Sequence, residues 1–330
     1  MRSLTDPWRL GGLTVPNRVV LAPMAGVGNW FVRLQARRFG AGLVVSEMVS
    51  SSALASGNKR TLREFLRVHP DEHPMAMQLY GHDPEVMRAA AVLVARAGAD
   101  AIDLNMGCPV RKVCRSGAGA ALLANPDRAV ALARAAREES GLPVTVKLRP
   151  GIAPRDRAGV ALAPRLIDEA GVAGIAFHPR EAARGHSGAP DYGLVRELVE
   201  ALPVPVIVSG GLASDERTRR AFAESGVEAV MLARGSLGNP WRIARLLGRY
   251  AGDPSAREVA EELEWVIERA EEHLGVERAG LYLRKFYPWY AQRFGLTSRE
   301  RELLVTAPTT ARARAAIRAL EAVGFGSAGC

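Results

Sequence analysis

The stretch Ala101–Leu123, AIDLNMGCPVRKVCRSGAGAALL, decides how the rest of the chain is read. It starts as a largely apolar run suited to a strand buried on both faces. At Asn105-Met106-Gly107-Cys108-Pro109 the pattern breaks, because Gly and Pro continue neither a strand nor a helix. Gly117 and Gly119 follow, and then an alanine-rich stretch resumes the apolar character. A cysteine on an irregular loop just past a buried strand stands where α/β proteins keep their chemistry. A small buried hydrophobe in a turn is the plainer reading of Cys108.

Working outward, the same strand-like run recurs at Val19–Ala22, Leu43–Ser46, Ala76–Leu79, Val144–Leu148, Gly174–Phe177, Val206–Val208 and Ala229–Leu232. Between these lie segments with apolar residues at three- and four-residue spacing, among them Pro84–Ala97, Pro126–Ser140, Tyr192–Ala201 and Asp215–Ser225. Several carry Pro or Asp at the start and Gly at the end, as helix caps do. Eight strand–helix alternations predict a (β/α)8 TIM barrel. A doubly wound open sheet would place a GxGxxG turn after its first strand, where this chain has Pro23-Met24-Ala25-Gly26. After about Ala251 the strands stop. The tail reads as helices over Arg257–Leu274, Arg278–Phe294, Ser298–Thr306 and Thr309–Val323. The predicted organisation is therefore a barrel domain over 1–250 and an all-helical domain over 251–330.

Composition bounds the rest. The 330 residues, 48% hydrophobic, suffice for a large core plus a smaller domain. No apolar run is long enough to span a membrane, and the N-terminus lacks a signal-peptide core. The three cysteines, Cys108, Cys114 and Cys330, suit neither a disulfide framework nor a metal site. These features predict a cytoplasmic protein with no metal and no membrane partner. The net charge of +9 favours a polyanionic partner. In the tail, acids dominate from Asp253 to Glu277. Bases, including Arg278, Arg284, Lys285 and Arg314, dominate from Arg278 to Arg318. Tyr282, Phe286, Tyr287, Trp289 and Tyr290 lie among them. Bases with interleaved aromatics suit phosphates and unstacked nucleobases. A solvated helix face over a buried aromatic stripe accounts for them equally.

In a barrel the strand C-termini converge on one face. Here they bring Pro23-Met24-Ala25, Ser46-Glu47, Gln78, Asn105 with Cys108, Lys147 with Arg149, His178 with Arg180, Ser209-Gly210-Gly211 and Ala233-Arg234-Gly235. The last two end in small residues before expected helix starts at Ser214 and Ser236, where backbone N–H groups can hold a phosphate. Tight turns alone would also use these glycines. Lys147 follows Val-Thr-Val, and burial of an ammonium demands an anion, either a structural partner or a ligand. For His178, a satisfied core histidine is an equal reading.

The motifs PMAGVGNW (23–30), SEMVSS (46–51), MQLYGHDP (77–84), DLNMGCPVRKV…SGAGAALL (103–123), VTVKLRPG (144–151), FHPREAARGHSGAPDY (177–192), VIVSGGL (206–212) and MLARGSLGNPW (231–241), in that order, closely resemble the bacterial tRNA-dihydrouridine synthases, B-type most of all. The resemblance covers about Leu10 to Trp241 and returns more faintly at LYLRKFYPWY (281–290). It implies an FMN-binding barrel and a helical domain that helps hold tRNA, with no obligatory protein partner. By the same resemblance, Pro23, Met24 and Ala25 would line the isoalloxazine and Gln78 would bond the flavin pyrimidine edge. Lys147 would sit near the flavin N1–C2=O edge, and His178 beside the flavin and the target base. Ser209, Gly210, Gly211, Ala233 and Arg234 would hold the phosphate. Cys108 would be the catalytic acid, while Asn105, Arg180, Arg284 and Lys285 would contact the substrate. The implied reaction reduces the uridine C5=C6 bond with FMN recharged by NADPH or NADH, Cys108 protonating C5. The target base must leave its stack to react. Ser209, Ala233, Glu181 and His186 depart from the family pattern, and Cys114 occupies a variable position. A flavin barrel reductase of a free pyrimidine, like dihydroorotate dehydrogenase, is the alternative; a non-catalytic RNA-binding barrel is a further one.

Overall fold

The structure is a computed structural model that describes residues 2–322; Val323 and Cys330 lie outside the described residues. All eight predicted strands form. They are β1 (Val19–Leu21), β2 (Leu43–Val45), β3 (Met75–Tyr80), β4 (Ala101–Asn105), β5 (Val144–Leu148), β6 (Gly174–Phe177), β7 (Val206–Ser209) and β8 (Ala229–Leu232). Each pairs in parallel with the next, and β8 pairs with β1, which closes the barrel. Helices cover the outside. One of them, Pro126–Ser140, shows how the sequence sets their ends. The Asn125 side chain caps Arg128 N, Pro126 opens the first turn, and Gly141 ends the helix at φ 66°.

One short element escapes the sequence pattern. Trp8–Leu10 and Leu13–Val15 form an antiparallel hairpin whose Trp8, Leu10 and Val15 pack with inward residues of the strands. Those partners include Ala76, Ala101, Ala176 and Ala229, small enough to leave room for the hairpin's larger side chains. Gly174 opens β6 without a side chain where a Cβ would stand 2.9 Å from Leu10 Cδ1. The apolar layer therefore lies toward the strand N-termini. Period-two alternation carries polar residues inward one layer higher. Gln78 pairs in register with Asp103, Asp103 with Thr145, and Asn105 with Lys147.

Two compact units emerge, Met1–Gly235 and Ser236–Cys330. The division falls ahead of the 250/251 boundary expected from the sequence. The last strand ends at Leu232, and residues after it group with later helices. Gly238, for example, has no room for a Cβ against the Trp289 backbone. Within the second unit, the helix Ala256–Leu274 opens on a Ser255/Glu258 capping box and buries Val259, Leu263, Val266, Ile267 and Ala270 along one face. The single helix expected over Arg278–Phe294 is two, Val276–Leu283 and Tyr287–Ala291. Pro288 explains the break. It has no N–H to give and is accommodated in the first turn of the second helix. No described helix is long and apolar enough to cross a membrane.

Candidate active site

Cys108 sits at the top of β4 on a loop fixed from three sides. Asn105 Oδ1 accepts from the backbone N–H of Cys108 (2.9 Å) and of Gly107 (3.2 Å). Ala120 N donates to Cys108 O at 3.0 Å. Gly119, at φ +62°, lets that segment lie close, since a Cβ there would stand 2.7 Å from Cys108 O. The thiol is half-buried, and burial pushes its pKa up. It therefore stays protonated at neutral pH. Cys114 is less incidental than its variable position suggests, for its thiol donates to Cys108 O at 3.3 Å.

The floor beside it is cationic. Lys147 Nζ donates to Ser209 Oγ at 3.3 Å, so the Ser209 hydroxyl is engaged by the buried ammonium. Burial, with Arg149 adding repulsion, lowers the Lys147 pKa to about 8, while Asp103 pulls it back. The structure thus supplies Lys147 with an anionic neighbour of its own. Asp103 is buried and its carboxyl is raised to about 6, chiefly by desolvation. Arg149 is buried too. It bonds Gly107 O (2.9 Å), Arg180 O (3.1 Å) and Gly185 O (2.9 Å), stapling the Cys108 loop to the loop after β6.

His178 is 6% exposed, and its Nε2 lies 3.0 Å from a guanidinium nitrogen of Arg180. Arg can only donate, so His178 Nε2 accepts and the ring is neutral. Burial and the neighbouring cations Lys147, Arg149 and Arg180 drive its pKa far below the ordinary imidazole range. His186 stacks on it with centroids 5.8 Å apart. Glu181 is occupied, accepting from Arg155 N of the loop after β5 (3.2 Å) and pairing with Arg184 of its own loop.

After β7, Gly210 and Gly211 have φ of 87° and 78°. A Cβ on Gly210 would strike the His178 ring, and one on Gly211 would stand 2.6 Å from Pro190 Cγ and from Tyr192 Oη. Only glycine fits either position. Helix Asp215–Ser225 then starts on its Ser214 cap as expected. The end of β8 differs, because Arg234–Ser236 is a single 3₁₀ turn and the next helix begins only at Trp241. An α-helix N-terminus at Ser236 is therefore absent, and turn N–H groups with Arg234 stand in its place.

On the β1 side, Pro23 is half-buried, Met24 buried and Ala25 exposed. Glu47 Oε2 accepts from Gly26 N (2.7 Å), and Arg33 bonds Gly28 O (3.2 Å) while paired with the buried Glu72 (2.6 Å). Sequence reading brought Glu47 and Arg149 to the strand ends without giving them a role, and missed Asp103 and Tyr192 as site residues. A carboxylate within an otherwise apolar strand, as in Ala101-Ile102-Asp103-Leu104, was the available signal for Asp103. In the second unit Arg284 and Lys285 are exposed. Phe286, Tyr287 and Tyr290 are buried, which makes them core and not stacking platforms. Arg314 is taken up by Glu264 and Glu271.

A glycine cradle beside Lys147, Arg149, Arg180 and Arg234 suits an anionic ligand. That puts the chain among the (β/α)8 barrels that gather basic side chains and a glycine turn at their strand ends. Comparison with known proteins then narrows the class. The dihydrouridine synthase (Dus) model matches residues 20–323, and the chain belongs to that family. It is 35% identical to tRNA-dihydrouridine synthase B of Pseudomonas aeruginosa over 86% of each chain. With a probable tRNA-dihydrouridine synthase of Rhodobacter capsulatus it shares 36% identity over 95% of this chain and 98% of the relative. Among solved structures it resembles morphinone reductase (TM-score 0.57, 18% identity, 78% of this chain and 92% of that one). The old yellow enzyme homologue from Zymomonas mobilis is also similar (TM-score 0.59, 15% identity, 78% and 96%). These last two likenesses speak to the barrel fold.

Proposed function

We propose that this protein reduces the C5=C6 bond of a uridine in tRNA to 5,6-dihydrouridine, with FMN as cofactor and NADPH or NADH as reductant. The observation that carries the reading is the protonated thiol of Cys108, held on the β4 loop by Asn105 beside a cationic floor. Family membership over most of the chain supports it.

The residues fit FMN. Gly210, Gly211, Ala233 and Arg234 offer backbone N–H groups and a guanidinium for the phosphate, in a loop that admits no Cβ at Gly210 or Gly211. Gln78 and the Pro23–Ala25 backbone would hold the ring, with Lys147 placed to neutralise the negative charge that a reduced flavin carries. FMN held there and reduced would supply the hydride that C6 of the uracil receives.

The chain's own residues do the rest. Negative charge develops on C5 and O4 as C6 is reduced, so a proton must reach C5 and a donor must face O4. Cys108 holds that proton because burial keeps its thiol neutral. Neutral His178 and Arg180 would orient the base and stabilise the enolate oxygen, while Asn105, whose amide is engaged by Gln78 and the Cys108 loop, would act at the substrate through the loop it holds. In the second unit, Arg284 and Lys285 would hold tRNA phosphates.

The test is direct. The purified protein should carry a visible flavin absorbance and, given NADPH and unmodified tRNA, form dihydrouridine detectable by nucleoside mass spectrometry. Reduction of free uracil or orotate with no product in tRNA would replace this reading with the small-substrate one.

A further inference from the structure

A directed series of hydrogen bonds runs from the barrel interior to Cys108, and its direction is imposed at one end. Asp103 is 1% exposed, and an ionised carboxylate can only accept. Its Oδ1 accepts from Thr145 Oγ1 at 2.5 Å and its Oδ2 from Gln78 Nε2 at 2.6 Å. The Gln78 amide is thereby committed, because its NH2 faces Asp103 and its Oε1 is left for Asn105 Nδ2 at 3.0 Å. Asn105 is committed in turn. Its Oδ1 faces the loop and accepts from the N–H groups of Gly107 and Cys108. Reversing either amide would set oxygen against oxygen at one junction and N–H against N–H at the next.

We propose that Asp103 is a positioning residue for Cys108: its carboxylate sets the orientation of Gln78 and Asn105 and so fixes the loop that presents the thiol. The register makes this possible, since Gln78, Asp103 and Thr145 lie side by side on three adjacent strands with Asn105 one inward position above. The consequence rests on the proposed function in one respect. If Gln78 is the flavin-facing amide, occupation of the flavin edge and placement of the proton donor are coupled through one side chain.

The experiment uses the full-length protein as purified. It reads Cys108 directly, by the rate of iodoacetamide modification located by peptide mass spectrometry and by hydrogen exchange of the peptide containing Gly107 and Cys108. Asp103→Asn keeps the size of the side chain, but an amide donates as well as accepts, so the direction is no longer imposed. Modification and exchange at Cys108 should both rise about fivefold or more, the worth of one neutral hydrogen bond. Asn105→Ala removes the last link and should do the same, and Asp103→Asn should add little on top of it, as one shared chain requires. A purely structural Asp103 would lower thermal stability while its effect at Cys108 multiplied with that of Asn105→Ala, and that result overturns the proposal. So does an unchanged Cys108 in Asp103→Asn. Should that variant not fold, Gln78→Leu cuts the chain in the middle and must raise Cys108 modification as Asn105→Ala does; an unchanged rate overturns the proposal. A parent protein without flavin would fail the functional reading and leave these rates interpretable, whereas unchanged rates in a flavin-bearing protein fail the positioning role alone.

Discussion

Cys108 retains its proton because its loop is drawn in against the barrel, and the retained proton is what an acid needs. Cys108→Ala should still bind FMN and accept electrons from NADPH at a near-parental rate. Reoxidation of the reduced protein by tRNA should then slow by roughly 10²–10⁴-fold, as loss of a positioned general acid does. Single-turnover mixing of pre-reduced protein with unmodified tRNA measures the step. Cys114→Ser is the control to use, since it keeps a donor for Cys108 O where alanine would not; it should behave as the parent.

Two buried charges at the same scale give opposite pH signatures. Lys147 has its pKa lowered to about 8, so its positive charge is present below that value and lost above it. Affinity for FMN should therefore fall as pH rises past about 8, and Lys147→Met should bind FMN more weakly and lack that fall. Titration by flavin fluorescence checks both. Asp103 runs the other way, raised from 3.8 to about 6. Its folded pKa lies above its unfolded one, so the stability it contributes is full below about 4 and lost as pH rises through about 6. Asp103→Asn should remove this slope. Its melting temperature relative to the parent should be higher above pH 6 than below pH 4.

At the scale of elements, the loops after β4 and β7 depend on glycines with positive φ. Gly119→Ala would push a Cβ against both Cys108 O and Val113 Cγ1 (2.9 Å) from a left-handed backbone. It should cost more than about 1 kcal/mol of stability, measured by denaturant unfolding. Gly119→Ala should also raise Cys108 modification, because it disturbs the segment that receives the Cys108 carbonyl.

At the scale of the molecule, the excess of basic residues separates into those paired with carboxylates and those whose charge faces solvent. Arg314 pairs with two glutamates and ties helix Thr310–Ala322 to helix Ala256–Leu274. Arg314→Ala should lower thermal stability while leaving the salt dependence of tRNA binding unchanged. Arg284, which bonds Thr306 O, and Lys285, which lies over the Tyr282 ring, are both exposed, so Arg284→Ala and Lys285→Ala should lower the melt less than Arg314→Ala does while weakening tRNA binding. Each should also reduce the log–log salt slope by about one for every phosphate it no longer neutralises. Filter binding across a salt series separates the two classes. If Arg284→Ala and Lys285→Ala leave both affinity and slope intact, the tail does not hold tRNA through them.

The sequence by itself determined the barrel, because strand burial and helix amphipathicity are local periodicities and every predicted strand was bounded by turn residues. It also marked Cys108, Lys147, His178 and the Gly210-Gly211 pair as unusual residues for strand ends, and the fold brings them to one end of the barrel. Other features waited for tertiary structure, for physical reasons specific to each. The Trp8–Val15 hairpin is too short for a periodicity to register, and only packing against Ala76, Ala101, Ala176 and Ala229 gives it a place. The aromatic run Phe286–Tyr290 has one appearance in sequence whether it faces solvent or core, and the fold buries Phe286, Tyr287 and Tyr290. Asp103 and Arg149 look like ordinary charges until register sets Asp103 beside Gln78 and Thr145, and sets Arg149 against the carbonyls of two loops. Partnership between residues 25 to 42 apart in the chain is a property of the closed sheet, and no local pattern encodes it.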